Sequence, residues 1–286
     1  MPAEPPIDVP AHLFEAYDRL AAQPAPVPIA GGTDIMVRIT GELGEVPARM
    51  LDLSRVEALK GITLENGGLV LGAATTYTEI RRSALCQAHV PALVEASATI
   101  GAAQIQNRGT LGGNIANASP AGDTLPILLA ADARILIGGQ RGEREIPASE
   151  FFTGYRQTAL AADELILHVT FPLPPGRVIR FRKVGTRRAQ AISKVVMALA
   201  WRDGSPSFGW SDVRVALGSV AATPIRAAAT EAVLEGALPT PEVADRAAET
   251  LAGELAPIDD VRSTADYRRM VAARVLHRLL REAGGW

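Results

Sequence analysis

The sequence predicts an α+β protein in three parts, and three observations carry that prediction. Helical and strand-like patterns alternate through residues 1–55, and strand patterns followed by helices continue through residues 56–173. Long strand-like segments and then helices fill residues 174–286. Between the last two parts, Pro172-Leu173-Pro174-Pro175-Gly176 has the composition of a linker. We therefore expect two α/β lobes, 1–55 and 56–173, and a C-terminal domain, 174–286.

The first part should contain an amphipathic helix, two strands and a short second helix. Leu13, Tyr17 and Leu20 recur at helical spacing, and Pro24 and Pro26 end that helix. The other predicted elements are a strand through Pro28–Ala30, a short helix over Asp34–Arg38 and a strand over Met50–Leu53.

The second part should be mixed, with a glycine-rich stretch from Gly101 to Asp123 in its middle. Leu69–Leu71 is its clearest strand. The other predicted elements are helices over Tyr77–Arg82, Val90–Ala98 and Leu125–Ala131, and strands over Arg134–Ile137 and Leu165–Phe171.

The C-terminal part should hold long antiparallel strands and then helices. The strands are predicted over Val178–Val184, Lys194–Trp201 and Asp212–Val220. One helix should begin at Thr240 as N-cap, since a proline and a glutamate follow it in the first turn. Another should begin at Ser263, with Asp266 three residues on, and stop at Gly284-Gly285.

The composition is that of an ordinary globular protein and argues against several functions. A formal net charge of -2 provides no basic surface for nucleic acid. The start of the chain lacks the basic and apolar segments of a signal peptide, and no apolar run reaches the ~18 residues of a membrane span. We therefore expect a cytoplasmic protein. The single cysteine, Cys86, cannot hold an iron–sulfur cluster, which needs about four, so any such cluster must lie in a partner.

Two glycine-rich segments carry the chemistry, and the first is Ile29-Ala30-Gly31-Gly32-Thr33-Asp34. It joins a predicted strand to a helix start. Such a turn can point backbone N–H groups at a diphosphate because glycine lacks a Cβ, and the helix dipole favours the anion. Taken alone, the segment is explained equally well as a plain strand-to-helix turn.

The second segment runs from Gln104 to Asp123 and is more specific. Three of its glycines fall within five residues, and each costs about 0.5–1 kcal/mol relative to Ala in a regular element, so something must approach this backbone closely. Short hydrogen-bonding side chains and the Asp123 carboxylate suit a nucleotide with a polyol. A glycine-rich loop between helices is the remaining alternative. The residues concerned are Gly109, Thr110, Gly112, Gly113, Asn114, Asn117, Ser119 and Asp123.

Together the two segments resemble a known family. Ala30–Asp34 and Asn107–Asn114, closed by Ser119-Pro120 and Asp123, are similar to the FAD-binding medium subunit of xanthine dehydrogenase and carbon monoxide dehydrogenase relatives, which are molybdenum hydroxylases. The resemblance continues through Asp163–Leu167 and Phe181–Gly185. It implies a two-lobed vanillyl-alcohol-oxidase-like (PCMH-type) FAD-binding domain, followed by a C-terminal domain with a three-stranded antiparallel sheet and helices.

The resemblance also implies FAD between the lobes. By position, the first segment would hold the pyrophosphate and the second the rest of the nucleotide and the ribityl chain. Lys183 would lie near the isoalloxazine edge and favour a reduced, anionic flavin, while Ile166 and Leu167 would lie against the adenine or flavin. The implied FAD-binding residues are Ile29, Ala30, Gly31, Gly32, Thr33, Asp34, Ile100, Gly109, Thr110, Gly112, Gly113, Asn114, Asn117, Asp123, Ile166, Leu167 and Lys183. Neither segment contains a His or Cys to attach the flavin, so noncovalent FAD is expected.

The implied activity is that of an oxidoreductase subunit. A large subunit would hold the molybdenum cofactor and a small subunit two [2Fe–2S] clusters, in a dimer of heterotrimers. FAD in this chain would pass their electrons to NAD, whose phosphates Arg187-Arg188 could meet, or to another acceptor. The alternative is a self-contained FAD-dependent oxidase or dehydrogenase of the same superfold.

Other features narrow the expectation. Carbon monoxide dehydrogenases of this family usually carry His or Gln and then Ser where this chain has Thr33-Asp34, which argues mildly against a CO-oxidising assembly. The four histidines are dispersed and predict no metal site. No catalytic acid or base needs to be assigned, because in an electron-transfer subunit the flavin performs the chemistry.

Overall fold

The computed structural model describes residues 5–41, 45–187, 189–202 and 209–286. The strands are β1 (Ile7–Asp8), β2 (Val27–Ile29), β3 (Met50–Asp52), β4 (Ile62–Glu65), β5 (Gly68–Gly72), β6 (Arg134–Gly139), β7 (Gly142–Pro147), β8 (Phe152–Gly154), β9 (Gln157–Thr158), β10 (Leu165–Pro172), β11 (Arg177–Val184), β12 (Val195–Arg202), β13 (Ser211–Gly218) and β14 (Ile225–Arg226). The helices are α1 (Leu13–Leu20), α2 (Ile35–Thr40), α3 (Tyr77–Arg82), α4 (Ala84–His89), α5 (Pro91–Thr99), α6 (Ala103–Gln106), α7 (Leu111–Asn117), α8 (Leu125–Ala130), α9 (Ala148–Phe151), α10 (Ala228–Leu234), α11 (Pro241–Glu254) and α12 (Ala265–Gly284). One turn of 3₁₀ helix covers Glu57–Leu59.

The predicted α+β class is confirmed, and most predicted elements lie within a residue or two of their expected bounds. The helix predicted over Tyr77–Arg82 has those bounds. None of the helices in the described parts of the chain is both long and apolar enough to cross a membrane.

A small parallel sheet opens the fold, in the order β1-β3-β2. Leu51 in its central strand is fully buried against Ala16 and Leu20 of α1. The turn Gly31–Asp34 follows directly from β2, so the sheet fixes where this turn begins.

A five-stranded antiparallel sheet, β4-β5-β10-β6-β7, forms the second layer. Its central strand β10 contributes to two cores. Leu165 and Leu167 pack with α1 and the parallel sheet, whereas Ile166, Val169 and Phe171 face the core that contains α3, α5 and α7. A bulge between Ile166 and His168 changes the alternation and permits this division.

The third layer is an antiparallel sheet in the order β11-β12-β13-β14, covered on both faces. Even-numbered residues of β12 from Val196 to Ala200 pack into the core shared with α5 and α8, and odd-numbered residues from Val195 to Trp201 face α11 and α12. Burial on both faces explains the uninterrupted apolar run of β12.

Two expectations for this region need correction. The sheet has four strands rather than three, because Ile225–Arg226 pairs with Leu217 and Ala216 at its edge. Two residues are too few to show strand alternation in a sequence. Thr264 rather than Ser263 caps α12, since its Oγ1 accepts from the Tyr267 N–H at 3.2 Å. The cap predicted at Thr240 is confirmed by the bond that its Oγ1 accepts from the Val243 N–H.

Candidate functional site

A cleft of about 1050 Å³ lies between the turn that follows β2, the glycine-rich segment and the C-terminal part. The turn after β2 forms one wall, the glycine-rich segment around α6 and α7 forms the second, and residues that flank β11, β12 and α12 form the third. The structure brings to this cleft the predicted residues Ile29, Ala30, Gly31, Gly32, Thr33, Asp34, Ile100, Gly109, Thr110, Gly113, Asn114, Asn117, Asp123 and Lys183.

Three of the predicted residues do not line the cleft. Ile166 and Leu167 are 7% and 5% exposed within β10, where their side chains fill the two adjoining cores. The space around Gly112 is filled by neighbouring residues, because a Cβ placed on it would lie 2.6 Å from the Cβ of Ala73. Position 112 needs a glycine because α7 packs closely against the end of β5.

The turn Gly31–Asp34 offers a row of unused hydrogen-bond donors. Within the described residues, no acceptor takes up the backbone N–H of Gly31, Gly32, Thr33 or Asp34. Gly32 adopts φ +74°, the left-handed region that glycine enters without penalty. Successive free N–H groups in a tight turn form an anion-binding concavity. The turn is therefore built to receive a negatively charged group.

The two glycine segments touch each other at Gly31. A Cβ there would overlap the backbone carbonyl of Arg108, and one on Gly109 would lie 3.3 Å from Thr33 Oγ1. These glycines allow the two walls to meet at the base of the cleft. Their role is close backbone packing, which is separate from the donor role of the turn.

In the second segment, the backbone N–H groups of three glycines are already hydrogen-bonded. The N–H groups of Gly109, Gly112 and Gly113 donate to Ile105 O at 2.6 Å, Ala73 O at 2.8 Å and Thr110 Oγ1 at 3.1 Å. A Cβ on Gly113 would meet only that Thr110 oxygen within 4 Å, so the space in front of Gly113 is open. These glycines thus contribute room in the cleft rather than free N–H groups.

A chain of side chains crosses the mouth of the cleft from the β8–β9 hairpin to the turn. Arg156 Nη1 donates to Asn117 Oδ1 at 2.7 Å, and Asn117 Nδ2 donates to Asp34 Oδ1 at 2.9 Å. Although Asp34 faces the open cleft, desolvation by the surrounding protein raises its pKa, and the charge of Arg156 and the Asn117 bond oppose that rise. The Asp34 carboxylate is therefore oriented by Asn117 of α7, which Arg156 of the β8–β9 hairpin positions in turn.

The opposite end of the cleft is organised around Asp123. Its carboxylate accepts from Lys183 Nζ at 2.5 Å and from Ser193 Oγ, while Lys183 also donates to Thr99 O at 3.1 Å. Burial raises the pKa of Asp123, and Lys183 and Ser193 oppose the rise. Lys183 thus brings a positive charge from the end of β11 into the cleft.

Arg268 stabilises the third wall of the cleft through buried hydrogen bonds. It is 4% exposed and donates to the carbonyls of Lys194 and Ser219 and to Asp260 Oδ1. Ser219 itself has φ +65° and donates its N–H to Pro120 O at 2.7 Å. The wall from α12 and the sheet is therefore tied to the glycine-rich segment.

Sequence reasoning missed Tyr77, Arg156 and Ser193, which also line the cleft. Burial strongly raises the pKa of the Tyr77 phenol, whose ring lies against Gly109. Tyr77 looks like any apolar residue of a helix, and Ser193 precedes a strand. Only Arg156 had a usable signal, because Gly154-Tyr155-Arg156 places an aromatic and a cation at a hairpin tip.

A turn with four free backbone N–H groups and a glycine-rich wall, within this three-layer α+β fold, form a cleft that suits a nucleotide cofactor. Residues 7–174 match the family model described as the FAD binding domain in molybdopterin dehydrogenase. Residues 180–283 match the CO dehydrogenase flavoprotein C-terminal domain. The chain therefore belongs to the family of FAD-binding medium subunits of the xanthine dehydrogenase and carbon monoxide dehydrogenase type, whose members are components of oxidoreductases.

Relatives and solved structures agree over almost the whole chain. The xanthine dehydrogenase FAD-binding subunit of Escherichia coli O157:H7 is 31% identical over 276 residues, which are 96% of this chain and 94% of the relative. The nicotine 6-hydroxylase medium subunit of Paenarthrobacter nicotinovorans is 32% identical over 96% of this chain and 95% of its own.

Among solved structures, a chain of the carbon monoxide dehydrogenase from Hydrogenophaga pseudoflava superposes with a TM-score of 0.92 at 29% identity, covering 97% and 96% of the two chains. A chain of quinoline 2-oxidoreductase from Pseudomonas putida 86 gives 0.92 at 27% identity, covering 99% and 98%. The resemblance inferred from the two glycine segments is thereby confirmed.

Proposed function

We propose that this chain is the electron-transfer flavoprotein subunit of a heteromeric molybdenum hydroxylase. The observation that carries the proposal is the Gly31–Asp34 turn, whose four free N–H groups line the same cleft as the open space at Gly113. A diphosphate needs such donors and the rest of a nucleotide needs such space, so the residues present fit FAD.

The roles follow from position around the cleft. The turn Ile29–Asp34 would hold the diphosphate, and Lys183 would approach the flavin ring. The ribityl chain and the rest of the nucleotide would lie along the second wall, against Ile100, Gly109, Thr110, Gly113, Asn114, Asn117 and Asp123. When bound, FAD supplies the redox chemistry of the subunit. The residues of this chain hold the cofactor, and the Lys183 charge would favour negative charge on the ring.

The remaining redox groups would lie in partner chains. The one cysteine, Cys86, is fully buried, whereas a [2Fe–2S] cluster needs four ligands. Relatives carry names such as medium chain and medium subunit. We therefore assign the molybdenum cofactor to a large subunit and two [2Fe–2S] clusters to a small one, in a dimer of heterotrimers, with electrons passing through noncovalent FAD.

NAD is our proposed acceptor, although the suggested Arg187-Arg188 contact gains no support. Arg187 donates to the carbonyls of Ala189 and Gln190 and so closes its own turn. Arg188 lies outside the described residues. Another acceptor that reaches the same edge of the flavin would serve equally.

The decisive experiment compares the isolated chain with the native complex. In the complex, an organic substrate should reduce the clusters, observed by electron paramagnetic resonance, and then bleach the flavin absorbance. The chain alone, loaded with FAD, should be reduced by dithionite but by no N-heterocycle or aldehyde. Flavin reduction by such a substrate without partners would favour a self-contained oxidase or dehydrogenase, and failure to bind FAD would refute both readings.

A further inference from the structure

The turn proposed to hold the diphosphate, Gly31–Asp34, contains a negatively charged side chain. Asp34 is the last residue of the turn whose four N–H groups are free within the described chain, and its carboxylate accepts from Asn117 Nδ2. A diphosphate placed there would be repelled by this carboxylate in a partly desolvated cleft, where charges are poorly screened. A cation close to Asp34 would offset this repulsion.

Five cationic residues line the cleft among the described residues, and three already have partners. Lys183 pairs with Asp123, while Arg262 and Arg268 both pair with Asp260. The other two, Arg38 and Arg156, form no ion pair within the described chain. These two are the candidates for neutralising a bound anion.

Of these two side chains, Arg156 is the one with a link to the Asp34 carboxylate among the described residues. Desolvation raises the pKa of the Asp34 carboxyl, and the charge of Arg156 opposes that rise. Arg156 also reaches Asp34 through Asn117, by bonds of 2.7 and 2.9 Å. It therefore lies on the side of the cleft mouth where the turn presents its donors.

Resting on the function proposed above, we propose that Arg156 is the residue whose positive charge holds the diphosphate of FAD over the Gly31–Asp34 turn. A guanidinium has five N–H donors, so Arg156 can keep its bond to Asn117 and still present a pair of donors to phosphate oxygens. The β8–β9 hairpin places it there, with Arg156 at φ +52° at the tip. The hairpin is thus a third binding element beside the two glycine segments.

The test measures FAD affinity of the full chain by equilibrium dialysis at several salt concentrations, with flavin absorbance as the readout. Replacing Arg156→Gln should weaken FAD binding by about 10- to 100-fold, the usual range for one charge-assisted hydrogen-bonding residue. It should also flatten the salt dependence of the affinity, because a screened attraction has been removed. Arg156→Lys should restore the salt dependence and part of the affinity.

Arg38→Gln is the matched control, since it removes the other cleft arginine that has no ion pair among the described residues, and it should change the affinity by less than about threefold. Circular dichroism of each FAD-free variant checks that the fold is retained. Equal affinities for wild type and Arg156→Gln would overturn the inference but leave the proposed function intact. A weakened affinity with an unchanged salt dependence would also overturn it, because Arg156 would then act only by bracing Asn117. Failure of wild type to bind FAD would instead refute the proposed function.

Discussion

Lys183 and Asp123 form a buried ion pair that joins the four-stranded sheet to the glycine-rich segment. Lys183 Nζ lies 2.5 Å from Asp123 Oδ2, and the two side chains are only 10% and 8% exposed. Ser193 and the carbonyl of Thr99 complete the hydrogen bonding of the pair. The relative position of two cleft walls therefore depends on charge as well as on apolar packing.

Replacing Lys183→Met should destabilise the FAD-free protein by about 3 kcal/mol, because it leaves the Asp123 carboxylate buried without its counter-charge. The double variant Lys183→Met/Asp123→Asn should recover most of that loss, since the uncompensated charge is then absent. Urea unfolding of Lys183→Met, Asp123→Asn and the double variant measures the coupling free energy between the two side chains. Strictly additive losses would show that the pair contributes nothing to the junction.

Two glycines that look alike in sequence should respond differently to alanine. A Cβ on Gly31 would overlap the Arg108 carbonyl, whereas one on Gly113 would meet only the Thr110 side chain. Gly31→Ala should therefore lower the thermal midpoint of the FAD-free protein by several degrees. Gly113→Ala should leave the midpoint within a few degrees, because alanine also favours α7, but it should weaken FAD binding at least tenfold by filling cofactor space. Thermal unfolding and equilibrium dialysis on both variants separate the two roles, and a reversed pattern would show that they are misassigned.

Local patterns made much of the fold predictable. The helix spacing of Leu13, Tyr17 and Leu20 and the apolar run through β12 reflect how each element buries its face, so they can be read without knowing the neighbours. The cap at Thr240 is equally local. The misplaced cap at Ser263 shows the limit, because Ser263 and Thr264 are both good caps and only the pairing of Ser263 with Asp260 decides between them.

The cleft was predictable where one segment supplies the chemistry. Gly31 to Asp34 and Gly109 to Asn114 could be recognised because glycines and small polar residues are concentrated there. The side-chain positions of Ile166 and Leu167 were not predictable, because an apolar strand does not reveal which of two cores each side chain enters, and a bulge changes the alternation. Ser193 reaches the cleft only through long-range packing, which a single sequence does not encode in its local pattern, whereas Arg156 had a local signal at the hairpin tip.

The ion pairs of Asp132 should be the main electrostatic contact between the end of α8 and the four-stranded sheet. Its carboxylate lies 3.2 Å from Arg177, 3.3 Å from Arg214 and 3.2 Å from Arg226. Asp132→Asn keeps a residue that tolerates the φ of +52° found there, so the change removes charge without backbone strain. Because the side chain is 40% exposed, screening reduces the expected loss of stability to about 1–2 kcal/mol, measured by urea unfolding.

Asp163→Asn is the surface control for Asp132, since its partner Arg141 is 70% exposed. It should change stability by less than about 0.5 kcal/mol. Equal effects of the two substitutions would show that the three arginines at Asp132 pair with other carboxylates when it is lost, as Asp212 beside Arg177 and Arg214 could allow.

Stability in acid should depend on Glu164. Arg144 donates to both Glu164 carboxylate oxygens, at 2.9 and 2.8 Å, and this pairing, with the Ala161 N–H, holds the pKa of Glu164 below its ordinary value of 4.5. The unfolded chain therefore binds the proton more readily than the folded one. The stabilisation that the Glu164 carboxylate provides is complete above pH 4.5, and it is lost as the pH falls through the lowered pKa of Glu164 in the folded state.

Glu164→Gln should accordingly lower stability near neutral pH and flatten its decline in acid, as followed by urea midpoints across this range. Glu57→Gln is the control, because the Glu57 carboxylate is 81% exposed in its pair with Lys60, and its curve should run parallel to that of wild type. Glu164 is only 11% exposed and joins the start of β10 to the edge strand β7, so its loss should also loosen that edge. A Glu164→Gln curve parallel to wild type would mean that other carboxylates control acid unfolding and that the Arg144 pair contributes no pH-dependent stability.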